Sequence, residues 1–597
     1  MYLLYSGFQH KKTFRVLLFL PVLILGQESI AQVDQTQDQI IESWTGESTY
    51  DSQFGSAITI RNGRVAIGAP NQQYQIPEFI VDFKYGATFS LDESKVNWVE
   101  GDELYYTTSI PFEINTDLDS WKYGYSLAMS DSHLAVGSPW MFNYRYSNGS
   151  KVLYYRSGAV RLYNRQDYSP FQNSDFSWLY ESSWALALPT EDENFGAAVA
   201  LTNSQLFVGA PMAVNSENIR GHVYVFDLEI LPNPYANPVQ TLVANPELFD
   251  GEASFDQFGA AISIDPSTST LMAIGAPNQD NPQSPYGCNG VSGSDEGAVF
   301  IYRLIGGGWI QTSTLWPSTT DIDRGSFGSS VAISIDETGV ERVVIGQPCP
   351  CIIGTGCQSC EVSDDAAGCH EGRVHVFVYT GNKWEIESVL ESPIANPDRD
   401  TFGTSVSIQG WDIVVGTPNE NIAEDSSVQE PGSVYRYTYS HCSDWTVKTR
   451  FITDNTLQSG HLGNSVAIEN GWVVAGAPMT TTLNVDGDPE PSSGAAYTYR
   501  ITPTPIQTCL GDFDSNGVID LSDLLLLLTN FQPLSIEDIG VADITCDKQV
   551  NGDDVLTLLI HWGQCYSESD PPNDIQTCFD MYDTGTIELL DCLEALQ

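Results

Sequence analysis

One short phrase recurs seven times in this chain: an aromatic or apolar residue followed by Gly, and further on Gly-Ala-Pro or a close variant. The first copy runs from Phe54-Gly55 to Gly68-Ala69-Pro70, and the last from Leu462-Gly463 to Gly476-Ala477-Pro478. The starts fall at Phe54, Tyr123, Phe195, Phe258, Phe327, Phe402 and Leu462, at intervals of 60 to 75 residues. A recurring period means that one supersecondary unit is copied and packed against its neighbours, so the unit decides the fold. Each unit carries four strand-like pieces, short, rich in Val, Ile and Tyr, and bounded by Gly, Pro, Asn and Asp. In the fifth unit residues 309–315 come first, followed by 329–335, 342–345 and 372–377. Four short antiparallel strands make one propeller blade.

The recurring letters have physical jobs. Gly beside the aromatic relaxes the dihedral limits and lets neighbouring backbones approach. The aromatic fills the space between adjacent blades. The continuous apolar run Val65-Ala66-Ile67-Gly68-Ala69 suits a strand buried on both faces. Pro70 cannot donate a ladder hydrogen bond and ends that strand. A strand-like piece near residues 40–44 precedes the first Phe-Gly, while the last unit lacks a piece after Gly494-Ala495-Ala496-Tyr497. The expectation is an all-β, seven-bladed propeller over residues 32–502, closed when the N-terminal strand completes the seventh blade. These phrases resemble the FG-GAP repeats of integrin alpha-chain propellers and of many secreted bacterial proteins. Integrin-type repeats often place an Asp-rich calcium loop inside the phrase. Here that space is a plain hairpin, as at Arg61-Asn62-Gly63-Arg64, and the longer versions at 265–270 and 336–341 lack alternating carboxylates. Calcium binding is therefore not carried over to the propeller.

The connections after each Gly-Ala-Pro vary most: 71–85, 140–157, 212–220, 278–296, 349–371, 419–431 and 479–493. Repeat geometry brings them out on one face, where unequal loops on a rigid scaffold are suited to binding. Asn148-Gly149-Ser150 is a glycosylation sequon in one of them.

Past a linker at 503–508 the composition changes. Asp512, Asp514, Asn516, Asp520 and Asp523 occupy positions 1, 3, 5, 9 and 12 of a calcium loop, the Val518 carbonyl position 7, and Gly517 the sharp turn. Residues 524–531 follow as a helix, and Ile519 is placed to pair with the equivalent Val550 of a second loop. That second loop offers Asp543, Thr545, Asp547, the Gln549 carbonyl, Asn551 and Asp554, with residues 556–562 as its helix. Lys548 there stands in place of the turn glycine. Two such units over 509–566 resemble a dockerin type I domain, a small α-helical, EF-hand-like module. The resemblance implies calcium as cofactor, a cohesin-like docking partner and attachment to polysaccharide catabolism. Leu521-Ser522 and Gly552-Asp553 depart from the hydroxyl pair usual at the family's recognition positions, which argues against cohesin. Residues 567–597 hold a degenerate third copy, from Asp580 through Gly585 to Asp591.

Compartment follows from the other end. Lys11, Lys12 and Arg15 precede an apolar run at 16–25, and Ser29-Ile30-Ala31 resembles a cleavage site, so 1–31 reads as a signal peptide. The run is short for a membrane span, and no later segment is long and apolar enough. The expected location is extracellular, or the cell surface through a partner. Twelve cysteines, five of them crowded at Cys349, Cys351, Cys357, Cys360 and Cys369, fit disulfides in an oxidising compartment. The formal net charge of -52 disfavours nucleic acid and anionic lipid and suits calcium, basic ligands or a salty medium.

Catalytic signatures are missing. No Gly-x-Ser-x-Gly elbow, P-loop or dinucleotide fingerprint occurs. His370, Glu371 and His375 miss the zinc-protease spacing by one residue, on a strand-like segment. The expected function is a non-catalytic secreted binding or adhesion protein, taking a protein or glycan on one propeller face and docking or anchoring through a calcium-binding tail. The alternative is an extracellular polysaccharide-degrading enzyme, or a component of such a complex, with its site in the central funnel.

Overall fold

The computed structural model describes residues within 33–42, 51–105, 122–184, 190–229, 237–244, 256–281, 296–352, 372–394, 400–421, 431–453 and 460–501. In the tail it describes 518–529, 552–560 and 563–564; short gaps interrupt several of these spans. The signal-peptide region at 1–31 and the segment at 565–597 lie outside the described residues.

Each Phe-Gly phrase opens a sheet. In the first repeat Ala57–Ile60 pairs with Arg64–Ala69, which pairs with Ala87–Glu93, which pairs with Trp98–Tyr105, all antiparallel. The other repeats follow the same meander. The fold is an all-β propeller, and the expected count of seven blades is corrected to six regular four-stranded blades and one irregular sheet. Six sheets are four-stranded, whereas the sheet of the sixth repeat is five-stranded. Its extra strand is Val33–Thr36, added in parallel to the outer edge of Asp444–Ile452. The strand grouping also needs correction in the fifth unit. Gly308–Leu315 pairs with Ala298–Ile305, so it is the last strand of the fourth sheet rather than the first of the fifth. Sequence order alone does not say which neighbour a strand will join.

The ring closes on itself. The first strand of each repeat touches the first strand of the next, and Ser465–Glu469 of the last touches Ala57–Ile60 of the first. Gln39–Glu42 completes the last sheet by pairing antiparallel with Ala495–Arg500, Ile40 opposite Tyr497.

The backbone explains the phrase. Gly55 has φ 93° and Ser56 donates its N–H to the Gln53 carbonyl at 3.2 Å, which makes Phe54-Gly55 the centre of a β-turn. Positive φ at the third residue is the type II requirement, which Gly meets without Cβ strain. The Gly55 N–H then donates to the carbonyl of Gly68 in the same repeat at 3.0 Å, so the two ends of the phrase are bonded together. Gly68 in turn packs on the next repeat: a Cβ there would sit 2.0 Å from the Gly124 carbonyl. The last link is the tightest, with a Cβ on Gly476 falling 1.9 Å from the Gly55 carbonyl. Burial follows the sequence pattern. Arg64–Ala69, Leu271–Ala276, Asp412–Thr417 and Trp472–Ala477 are buried along their whole length. The Phe-Gly aromatics are fully buried and sit between sheets. Phe258, for example, packs against Phe207 and Val223 of one repeat and Phe300 of the next. That core of interdigitated apolar side chains supplies most of the drive to close the ring.

The tail has two helices, Leu521–Thr529 and Gly552–Ile560, each starting a few residues before the helix read from sequence. Val518–Ile519 pairs with Gly563–Gln564, Ile519 opposite Gly563; Val550, the partner expected for Ile519, lies outside the described residues.

Candidate binding surface

The ring has two unlike ends and a channel between them. At one end the first and second strands of each repeat meet in short hairpins. Asp131 sits there at a junction of three repeats. Its carboxylate accepts from Arg61 Nε at 3.0 Å, Asn62 Nδ2 at 2.6 Å and Asn203 Nδ2 at 3.1 Å. The hydrogen bond from Asn203 first, then Arg61, hold its carboxyl below the ordinary aspartate range. Arg61 also lies 3.9 Å from Glu469 of the last repeat, whose carboxyl is pushed up by burial. The belt continues around the mouth. Asn470 donates its N–H to Gln409 Oε1 at 2.7 Å, and Ile335 donates its N–H to Asp265 Oδ1 at 2.9 Å.

Farther from the axis at this end, Arg342 bonds Asp336 at 2.9 Å and Glu387 at 3.0 Å. Its guanidinium lies over Trp411 at 4.6 Å and Tyr439 at 4.7 Å, both from the following repeat. Trp445 Nε1 donates to the same Glu387 at 2.9 Å. Sequence reading missed both networks, because their members are scattered along the chain and only the packing of one repeat on the next brings them together.

The channel is lined by the first strands of all repeats. Its larger cavity, about 530 Å³, opens toward the hairpins with walls of Ile58, Leu127, Val199, Ile262, Ile408 and Val466. A smaller one of about 260 Å³ opens at the opposite end, where Ser126, Ser330, Ser405 and Ser465 stand. Each of these hydroxyls donates to the Phe-Gly glycine carbonyl of the next repeat, at 2.7 to 2.9 Å.

That opposite end carries the Phe-Gly turns and the long connections. Parallel bridges such as Gly158↔Phe195 and Gly297↔Phe327 tie the return of a connection to the next turn. Described parts of the connections form small ribbons of their own. Gln73–Gln75 pairs with Asp82–Lys84, Asn143–Ser147 with Ser150–Tyr154, and Thr482–Leu483 with Pro489–Glu490. Asn148 and Gly149 of the sequon fall between Ser147 and Ser150, outside the described residues. Cys351–Ile352 pairs with Ile322–Asp323, while the remaining cysteines of that loop are not described. The second repeat presents the most distinctive surface here. Lys122 and Arg156 flank the Trp140 ring at 5.1 and 5.0 Å, and Tyr125 and Tyr155 are both about half exposed.

His375 is buried on the strand Arg373–Tyr379, its Nε2 2.8 Å from Gln347 Oε1. Burial lowers it to about 3, so it is a neutral core histidine in the folded chain. His370 and Glu371 are not described.

Of the residues read as calcium ligands, the structure describes Val518, Asp520, Asp523 and Asp554. Val518 lies in the short strand, Asp520 just before the first helix, and Asp523 in its first turn. The Asp520 N–H donates to Asp523 Oδ2 at 2.8 Å, and the Ser522 N–H to Asp520 Oδ1 at 2.7 Å. Asp523 and Asp554 are both fully buried at the starts of their helices. Asp512, Asp514, Asn516, Asp543, Thr545, Asp547, Gln549 and Asn551 lie outside the described residues. Among the described residues no three His, Cys, Asp or Glu side chains converge on a metal position. Nor is any described helix long and apolar enough to cross a membrane.

No family model matches the chain, and no curated protein matches it. The resemblance to FG-GAP and dockerin sequences therefore rests on the residues named above. Among solved structures, the chain is similar to the β-propeller domain of Myceliophteria thermophila Cps50 (Swd1). Identity is 10% over 78% of this chain and 99% of that one, with TM-score 0.39. It is also similar to Chaetomium thermophilum Sqt1, at 14% identity over 76% of this chain and 83% of that one, TM-score 0.37.

Proposed function

We propose that this protein is an exported binding or adhesion module that holds a protein or glycan on the connections at the turn end of its ring. The observation that carries the reading is the contrast between the ends. The hairpins between first and second strands are short and bond to each other across repeats, while the long, unequal connections after Gly-Ala-Pro leave from the other end. A rigid ring presenting unequal loops at one end is a scaffold for recognition. The half-exposed Tyr125 and Tyr155 of the second repeat, which also carries Trp140 with Lys122 and Arg156, add flat apolar surface suited to sugar or side-chain stacking. Purified full-length protein on glycan and extracellular-protein arrays should give retained, saturable binding without turnover. Release of reducing ends from a polysaccharide panel would overturn this reading in favour of an enzyme.

The tail fits calcium through the chemistry of its donors. Asp512, Asp514, Asn516, the Val518 carbonyl, Asp520 and Asp523 would hold one ion. Asp543, Thr545, Asp547, the Gln549 carbonyl, Asn551 and Asp554 would hold a second. Full burial of Asp523 and Asp554 at matching positions supports this, since a buried carboxylate needs a compensating charge or hydrogen bonds. Bound calcium supplies that charge and couples the tail's folding to the ion. Chelation should reduce the helical circular dichroism of the full chain and leave its strand signal intact. Loss of the strand signal as well would contradict confinement of calcium to the tail.

A further inference from the structure

The two tail helices are copies of one pattern with an unexpected outer face. Counting from the buried aspartate, the residue four positions on is also fully buried: Leu527 after Asp523 and Leu558 after Asp554. These residues define the inner face, as the helical period requires. On the first helix Leu521, Leu525 and Leu528 are 60%, 55% and 47% exposed, and Leu526 beside them is 41% exposed. On the second, Leu556 and Leu559 are 57% and 47% exposed at the same offsets. Leu521, Leu525 and Leu528 follow the i, i+4, i+7 spacing of a helix stripe made to be buried. A stripe of this kind left in water marks an interaction surface.

The sequence supplies a matching third stripe. In the degenerate copy, Leu589, Leu593 and Leu596 stand at the same offsets from Asp591 as Leu521, Leu525 and Leu528 do from Asp523. Asp591 and Glu594 occupy intervening positions and Glu588 precedes the first leucine, so the segment has the amphipathic pattern of a helix that buries one side. We propose that residues 586–597 dock on the Leu521–Leu525–Leu528 stripe of the same chain, leucine face to leucine face. Residues 565–585 are long enough to let the segment fold back, and tethering gives it an effective concentration of order mM. A second copy of the chain is the competing occupant, and the net charge of -52 opposes that association. Docking of this segment is independent of which ligand the propeller takes.

Hydrogen–deuterium exchange on the full chain tests it. Amides in 521–529 should exchange at least tenfold faster in the triple variant L589S/L593S/L596S than in the natural chain, with propeller peptides unchanged. The triple variant L589M/L593M/L596M, which keeps the apolar face, should restore protection. The reciprocal variant L525S/L528S should speed exchange in 586–597, which separates docking from a general loss of the tail. Equal exchange in all forms would overturn the proposal. So would protection of 521–529 that rises with protein concentration while the chain sediments as a dimer, which would assign the stripe to a second copy.

Discussion

At the hairpin end neighbouring repeats are joined through side chains that differ from joint to joint, whereas at the turn end they share one repeated backbone contact, with serine hydroxyls on the same glycine carbonyls in several repeats. The first kind of joint uses particular residues once each: Arg61 against Asp131, and Arg342, held by Asp336 and Glu387 of its own sheet, against Trp411 and Tyr439 of the next. The second uses the same atoms in every repeat, a glycine carbonyl against a glycine Cα. The difference bears on function. A backbone joint makes no demand on the residues after Gly-Ala-Pro, so the connections there are free to differ in length and composition. A side-chain joint ties up the hairpins between first and second strands, which leaves those hairpins little room to vary.

The largest effect should come from the hairpin end. Arg342 and its two carboxylates are each under 10% exposed, so removing the arginine strands buried charge. Arg342→Ala should cost about 3–5 kcal/mol, measured by urea denaturation. A loss below about 1 kcal/mol would mean that solvent reaches the pair and the joint is weaker than its geometry. At the turn end, Gly476→Ala forces a methyl against the Gly55 carbonyl at the ring's closing seam. It should cost about 1–3 kcal/mol and speed exchange at Gln39–Glu42 before other strands. Uniform loosening of all repeats would instead show that the seam is no weaker than other joints.

A pH titration sharpens the comparison by probing two buried histidines near the turn end. Burial lowers His222 to about 4 and His375 to about 3, from an ordinary 6.5. The unfolded chain therefore binds more protons below 6.5, and stability that is complete above that pH is lost as pH falls toward the folded values. Between pH 6.5 and 5.5 each histidine should account for about 1 kcal/mol. H222Q/H375Q should flatten that limb; an unchanged slope would assign the acid sensitivity to other groups. The smallest effect belongs to the channel mouth. Arg61 is 24% and Asp131 43% exposed, so Arg61→Ala should cost no more than about 1 kcal/mol and less in high salt.

Much of the ring was legible in the sequence because its determinants are local. The spacing from Phe54-Gly55 to Gly68-Ala69-Pro70 encodes a turn, a hairpin and a buried strand within one short stretch. The closing role of the N-terminal strand followed from a missing piece after Tyr497. The fifth strand at Val33–Thr36 was not legible, since four ordinary residues gave no sign that they would add to the sixth repeat. Nor was the assignment of Gly308–Leu315, which either neighbouring repeat could have claimed. The joints of Asp131 and Arg342 depend on residues tens of positions apart and carry no motif. For the binding surface, sequence located the variable connections, and the structure added Trp140 between Lys122 and Arg156 as the feature to examine first.

The central claim is that recognition belongs to the turn end. Differential hydrogen–deuterium exchange of the full chain, with and without its strongest array-selected ligand, tests this most directly. Protection should appear in the connections after Gly-Ala-Pro, with the segment 140–157 among them, and the hairpins at 61–63, 131–132 and 202–204 should be unchanged. Protection confined to those hairpins and the channel walls would contradict the account and move the site to the other end of the ring.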